Sequence, residues 1–129
     1  MTTIREIMRT DVLEVEMAAT LQEAAQSMRE RKISSLAVTE KDRLVGIMTE
    51  RDIVTAVADG ADSEVAHVRD YMTPNPVSAG ADMTIEEATQ TMLEHGFRHL
   101  PVVDDDQRLV GIVSLRDLAR AGVKVPTRE

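Results

Sequence analysis

The sequence predicts a mixed α/β protein made of two copies of one strand–helix–strand–strand–helix repeat. Residues 44–52 (LVGIMTERD) recur almost letter for letter as residues 109–117 (LVGIVSLRD). Thr20 and Thr84 are each followed three residues later by Glu, the capping-box pattern that starts a helix, and apolar runs of strand length follow both helices. One repeat used twice accounts for most of the 129 residues.

Each repeat begins with a short helical turn and a short strand. Residues 3–8 (TIREIM) form the first turn, and residues 68–72 (VRDYM) repeat it. A strand is predicted over residues 12–15, and its counterpart around Val77 follows the turn-forming sequence TPNP. The two copies are therefore aligned from their first turn onwards.

The next element of each repeat is an amphipathic helix. Small and apolar residues recur at helical spacing after each capping box, which predicts that one helix face packs on a sheet. Gly96 ends the second helix at the position that Lys32 occupies in the first. The apolar stripes consist of Leu21, Ala24, Ala25 and Met28 in the first helix and of Ile85, Ala88 and Met92 in the second.

Two β-type runs joined by a charged turn follow each helix and predict a hairpin. The second turn is one residue longer than the first, an insertion that a loop tolerates. A last helix follows each hairpin and is ended by Gly60 or Gly122. The strands cover residues 35–39 and 44–49 in the first repeat and 99–103 and 109–114 in the second, and the helices cover residues 50–58 and 115–121.

The two repeats are predicted to form one globular module. The first covers residues 1–64, the second residues 65–122, and a tail follows at 123–129; residues 60–66 form a short polar link rather than a flexible tether. A repeat of about 60 residues has a marginal core by itself. We therefore expect the two sheets to bury each other.

Composition and charge exclude several classes of protein. A net charge of −8, one Tyr, one Phe and no Trp leave neither the basic surface nor the stacking platform of a nucleic-acid binder. No apolar run approaches the roughly 20 residues that span a bilayer, and the amino end lacks the apolar core of a signal peptide. With no cysteine, we expect a cytoplasmic protein that binds neither nucleic acid nor membrane.

The repeated blocks hold the candidate chemistry. A hydroxyl residue followed three positions later by an acid is a capping box, so helix capping alone explains the pair. The same turn could instead bind a nucleotide, because exposed amides and Arg attract phosphate while a carboxylate suits the ribose hydroxyls. The residues concerned are Thr49, Arg51 and Asp52 in the first block and Ser114, Arg116 and Asp117 in the second.

Gly46 and Gly111 lie inside otherwise apolar strands. Glycine costs stability there and marks either a bulge or the close approach of backbone or ligand. Glycine and arginine recur with the hydroxyl and the acid in both blocks, which helix capping does not explain. We therefore keep nucleotide binding as a second interpretation beside helix capping.

In order and spacing, these pieces resemble a tandem pair of CBS (cystathionine β-synthase) domains, or Bateman module. The matching pieces are the leading turns, the capped helices, ISSLAV at 33–38, FRHLPVV at 97–103 and the two repeated blocks. The resemblance implies two β-α-β-β-α units related by a pseudo-twofold axis and packed sheet to sheet. It also implies up to two clefts for adenosine-type ligands and dimerisation into a flat disc.

The family pattern assigns roles within each block. Its hydroxyl meets phosphate and its Asp meets ribose, which implies Thr49 and Asp52 in one cleft and Ser114 and Asp117 in the other. Arg51 and Arg116 are then candidates for phosphate contact. Each cleft is expected to be completed by the other repeat.

The completing residues make the two predicted clefts unequal. The Asp52 cleft gains Arg98 and His99, with Val77 as an apolar wall against the base. The Asp117 cleft gains Ser34, Ser35 and Leu13, none of which is positively charged. If only one cleft binds a charged nucleotide, Arg98 and His99 favour the Asp52 cleft.

Neither a metal site nor catalysis is expected. His95 and His99 are separated by Gly96, which breaks the helix between them, and no third ligand is evident. Nothing resembles a nucleophile elbow, a paired-carboxylate site or a Walker loop. A small nucleotide-processing enzyme is therefore disfavoured, and no obligatory cofactor is expected.

Two functional readings remain open. In the first, the chain is a stand-alone sensor that forms a homodimer. An adenosyl ligand alters the packing of the repeats and so changes their contact with a protein partner. The candidate ligands are AMP, ADP, ATP, NAD and S-adenosylmethionine. In the second, the clefts stay empty and the dimer surface acts as an interaction module.

Overall fold

The computed structural model describes residues 2–123 and confirms the mixed α/β fold. The predicted tail lies outside the described residues from position 124 onwards. A 3-10 helix covers Ile4–Glu6, and the helices are α1 (Leu21–Arg31), α2 (Glu50–Ala58), α3 (Val68–Tyr71), α4 (Ile85–His95) and α5 (Leu115–Arg120). The strands are β1 (Glu14–Val15), β2 (Ser35–Glu40), β3 (Arg43–Thr49), β4 (Thr73–Pro74), β5 (His99–Val103) and β6 (Leu109–Ser114).

The chain forms two compact units whose limits differ from those of the sequence repeats. One unit, called here the Leu13 unit, runs from Leu13 to Pro76. The other, called the Val77 unit, combines the segment that ends at Val12 with residues 77–123. Each leading turn therefore packs with the hairpin of the other repeat. The boundary at residue 64 was predicted for the sequence repeats, and it stays a prediction.

The Leu13 unit contains a four-stranded sheet in the order β1-β2-β3-β4. β1 runs parallel to β2, and the other neighbours are antiparallel. Helices α1 and α2 and the turn α3 supply the rest of its core. The buried residues are Leu21, Ala24, Met28, Leu36, Val38, Met48, Ala56 and Val68, which include most of the predicted stripe of α1.

The Val77 unit repeats this arrangement with shorter outer strands. The β5–β6 hairpin is flanked by a parallel bridge from Ala79 to Val102 and an antiparallel bridge from Arg9 to Ile112. The predicted strand at Val77 is thus reduced to one bridge at Ala79. The buried residues are Ile4, Ala79, Ile85, Ala88, Met92, Leu100, Val102, Val113 and Leu118, which include the whole predicted stripe of α4.

The long helices begin and end as the sequence predicts. The Thr20 hydroxyl accepts from the Glu23 amide at 3.1 Å, and the Glu23 carboxylate accepts from the Thr20 amide at 3.1 Å. The Thr20 hydroxyl also donates to Glu23 Oε1 at 3.0 Å, and the two bonds that this carboxylate accepts, the backbone one first, lower the pKa of Glu23 below its ordinary value. At the other end, Lys32 adopts the left-handed conformation with φ 54°, the role that Gly96 fills with φ 72° in α4.

No helix within residues 2–123 is both long enough and apolar enough to cross a membrane.

Candidate functional site

In the Leu13 unit, the repeated block forms the junction between β3 and α2. Thr49 ends the strand, and its backbone amide donates to Asp52 Oδ2 at 2.8 Å. The Thr49 hydroxyl lies 3.3 Å from the same oxygen. Asp52 is half-buried, whereas Arg51 is exposed on the first turn of α2. The junction therefore holds the carboxylate in place through one of its two oxygens.

In the Val77 unit, the second block forms the matching junction between β6 and α5. The Ser114 amide donates to Asp117 Oδ2 at 2.9 Å, and the Asp117 amide donates to Ser114 Oγ at 3.1 Å. Arg116 is exposed. Both junctions therefore contain the capping interaction that the sequence allows, and Oδ1 of each Asp takes no part in the capping bonds.

The glycine of each block is explained by the chain's own packing. A Cβ on Gly46 would lie 2.5 Å from Met72 Sδ, and one on Gly111 would lie 2.7 Å from Met8 Sδ and 2.9 Å from the Arg9 carbonyl oxygen. The register of both hairpins also shifts beside these glycines. The close approach predicted from the sequence is thus made by the leading turns, together with a bulge.

Three more predicted residues lie beside the Thr49 junction in the Leu13 unit. Ser35 pairs with Thr49 across β2 and β3, and the Glu50 amide donates to the Ser34 carbonyl at 3.0 Å. Leu13 joins the same sheet, because its carbonyl accepts from the Ala37 amide at 3.1 Å. The residues predicted to complete the Asp117 cleft therefore share a unit with Asp52.

The same relation holds in the Val77 unit. His99 pairs with Ser114 across β5 and β6, and the Arg98 carbonyl accepts from the Leu115 amide at 3.0 Å. Val77 is 38% exposed in this unit. Arg98 and His99 thus adjoin the Ser114 junction within one unit, while the predicted composite clefts, which combine both units, stay a prediction.

Arg9 also belongs to this junction, although its sequence position did not indicate a role there. Its Nε lies 3.8 Å from Asp117 Oδ1, and the side chain of Arg9 is 51% exposed against 10% for Asp117. The repeat contains one signal that could have identified it: a positively charged residue, Arg9, follows Met8, whereas an uncharged residue, Thr73, follows the equivalent Met72. The ion pair could not be read from the sequence, since it joins residues more than 100 positions apart.

A groove of about 380 Å³ lies between α1 and α2 on the helical side of the Leu13 unit. Val57 borders it and is 71% exposed, and Val54 on the same helix is 66% exposed. The other lining residues are Leu21, Gln22, Ala25, Gln26, Arg29, Ile53, Ala56, Ala61 and Ser63.

Across residues 2–123, no group of three or more His, Cys, Asp or Glu side chains is arranged to hold a metal ion. His95 Nδ1 lies 2.9 Å from the Thr91 carbonyl oxygen, and its ring centroid is 5.4 Å from that of Phe97. Local contacts therefore account for the position of this ring.

A family model described as CBS domain matches the chain twice, at residues 4–59 and 68–124. A 17.7 kDa protein of Acidianus ambivalens is 42% identical over 129 residues, which cover 99% of this chain and 77% of that protein. The CBS domain pair of protein MJ0100, solved with 5′-methylthioadenosine and S-adenosyl-L-methionine, aligns with a TM-score of 0.87 and 28% identity over 94% of this chain and 95% of that one. CBSX2, solved in complex with AMP, aligns with a TM-score of 0.85 and 28% identity over 95% and 97% of the two chains.

Proposed function

The chain belongs to the CBS domain family, and we propose that it is a regulatory module that binds an adenosine-type ligand and signals through altered packing of its two repeats. The candidate ligands are AMP, ADP, ATP, NAD and S-adenosylmethionine. In this proposal the ligand is sensed and released unchanged, without catalysis. A ligand acts on such a switch only through different affinities for its two arrangements.

The observation that carries the proposal is the pair of hydroxyl–Asp junctions. Each holds an aspartate at a strand end with one carboxylate oxygen used by the cap, so that the second oxygen can accept from a ribose hydroxyl. The complexes of MJ0100 and CBSX2 support the ligand class, because 5′-methylthioadenosine, S-adenosylmethionine and AMP share an adenosine moiety.

A thermal-shift panel tests the proposal. A ligand that binds only the folded state at ten times its Kd should add about 1.4 kcal/mol to the free energy of unfolding. For a chain of this size the Tm should rise by about 5 °C. The panel consists of AMP, ADP, ATP, NAD and S-adenosylmethionine, with guanosine monophosphate as a base-swapped control.

The outcomes separate the candidate functions. A shift with one or more adenosyl ligands, without loss of the ligand in the same tubes, supports the sensor. No shift with any of them, in protein shown by mass spectrometry to carry no ligand, would favour the interaction module and leave the two aspartates as helix caps. Conversion of a nucleotide would favour an enzyme.

We further propose that two copies of the chain dimerise through the α1–α2 face. Val54 and Val57, three residues apart on α2, expose large apolar side chains beside the groove, and exposed apolar residues that form one patch mark interaction sites. The hexamer reported for the CBS-CP12 protein supports self-association as a property of relatives. A second copy would bury both valines.

Replacement of Val57 by lysine is expected to shift the protein from dimer to monomer, because the new charge would be buried in the interface beside Arg29, which has the same sign. Sedimentation velocity at micromolar concentration measures the change. Val65→Lys is the matched control, since Val65 is 66% exposed but does not line the groove. A Val57→Lys dimer would place the interface elsewhere, and a wild-type monomer would contradict dimerisation itself.

A further inference from the structure

We propose that Arg9 makes the Ser114–Asp117 junction selective for adenosyl ligands that carry a phosphate, over uncharged adenosine. This inference rests on the proposed function and names the ligand feature that one of its junctions recognises. Three features support it: the position of the Arg9 backbone, the ion pair with Asp117, and the threonine that stands in place of Arg9 in the other repeat.

The backbone of Arg9 is fixed beside the junction. Its amide donates to the Ile112 carbonyl at 2.9 Å, and the Ile112 amide donates to the Arg9 carbonyl at 3.0 Å. Ile112 lies two residues before Ser114 on β6. The point from which the Arg9 side chain extends is therefore set by the sheet.

The Arg9 side chain meets the aspartate but leaves it able to bind. The distance of 3.8 Å from Nε to Asp117 Oδ1 is a Coulombic contact, longer than a hydrogen bond. The other oxygen, Oδ2, accepts from the Ser114 amide. Arg9 is 51% exposed, and its guanidinium carries five N–H donors, so the donors that do not meet Asp117 are open to a ligand.

The position of Arg9 reduces the electrostatic repulsion between Asp117 and a ligand phosphate. A ligand whose ribose meets Asp117 brings its phosphate close to a carboxylate, and like charges repel. A guanidinium beside that carboxylate offsets the repulsion and can donate two parallel hydrogen bonds to phosphate. Adenosine has no phosphate and gains nothing from Arg9.

The other repeat lacks this cation. Arg9 pairs with Ile112 in the Val77 unit, and the equivalent pair in the Leu13 unit is Thr73 with Ile47 of β3. Thr73 therefore stands where Arg9 stands in the first repeat. The repeat alignment also places Ser34 where Arg98 stands. Within its own unit the Asp117 junction is thus the more positive one, and the inference therefore favours this junction for a charged ligand, whereas the sequence alone favours the Asp52 cleft.

Isothermal titration calorimetry with AMP and adenosine tests the inference. Arg9→Thr, which copies the residue of the other repeat, is expected to weaken AMP binding about tenfold, or about 1.4 kcal/mol. Adenosine binding should change less than about twofold, since adenosine has no phosphate to accept the donors that are lost. Arg5→Thr is the matched control, because Arg5 lies in the same leading turn but pairs with the exposed Asp82 at 3.0 Å. It should leave both affinities unchanged.

Four results would overturn the inference. An equal change in AMP and adenosine binding by Arg9→Thr, or no change in either, would show that Arg9 does not read the phosphate. The same loss of AMP binding in Arg5→Thr would reduce the effect to net charge. If the wild-type protein bound neither compound, the proposed function for these ligands would fail together with the inference.

Discussion

Replacement of Gly111 by alanine is expected to destabilise the protein by about 3 kcal/mol, at the upper end of the cost of overpacking a well-packed site. The new Cβ would lie 2.9 Å from the Arg9 carbonyl oxygen, and that carbonyl is held by the hydrogen bond from the Ile112 amide. Relief requires the leading turn to leave the sheet. Thermal or urea unfolding should show the loss, as a fall in Tm on the order of 10 °C.

Gly46→Ala is expected to cost less, about 1 to 2 kcal/mol. Its closest contact would be 2.5 Å to Met72 Sδ, the end of a flexible side chain, and the Thr73 carbonyl oxygen lies farther away at 3.1 Å. Gly80→Ala is the control, because a Cβ there would meet nothing within 4 Å. It should change the free energy of unfolding by less than about 0.5 kcal/mol.

The glycine substitutions also show whether the repeated glycine makes room for a ligand or for the leading turn. If a ligand needed the space, Gly111→Ala would keep its stability without ligand and lose binding. If the leading turn needs it, stability falls with no ligand present. The second result is expected from the geometry, and a fully stable Gly111→Ala protein would contradict it.

The sequence predicted the local elements closely because their signals are local. The capping boxes at Thr20 and Thr84 occur as expected, and β5 and β6 have the predicted limits. Such features depend on residues three or four positions apart or on alternation along one strand. The bulges beside Gly46 and Gly111 also follow from glycine inside a strand.

The partners of the leading turns could not be predicted in the same way. Ile4 and Val68 are apolar at equivalent positions, and either could fill the core of its own repeat or of the other. The structure buries Ile4 with Ile85, Met92 and Leu100, and this choice depends on contacts across the whole chain. The same exchange brings Arg9 to Asp117, which is why the sequence missed that pair.

For the aspartates, we expect that Asp117→Asn weakens AMP binding by 10- to 100-fold while stability changes by less than about 1 kcal/mol. An asparagine keeps a carbonyl oxygen that can accept from the Ser114 amide, as Asp117 Oδ2 does at 2.9 Å. What it loses is the second acceptor and the charge, so ribose would face an NH₂ group instead of a carboxylate oxygen. Calorimetric titration and thermal unfolding of the same samples measure both quantities.

Asp117→Ala completes this comparison, because it removes the cap as well and should cost about 1 kcal/mol of stability in addition. If Asn and Ala differ in stability but both bind AMP like the wild type, the aspartate only caps its helix. If Asn binds weakly while its helix stays capped, the aspartate serves the ligand. Asp52→Asn then distinguishes the two junctions. Because Arg9 lies beside Asp117 and not beside Asp52, Asp52→Asn should weaken AMP binding less than Asp117→Asn does. A larger loss of AMP binding in Asp52→Asn would instead indicate the Asp52 cleft as the nucleotide site.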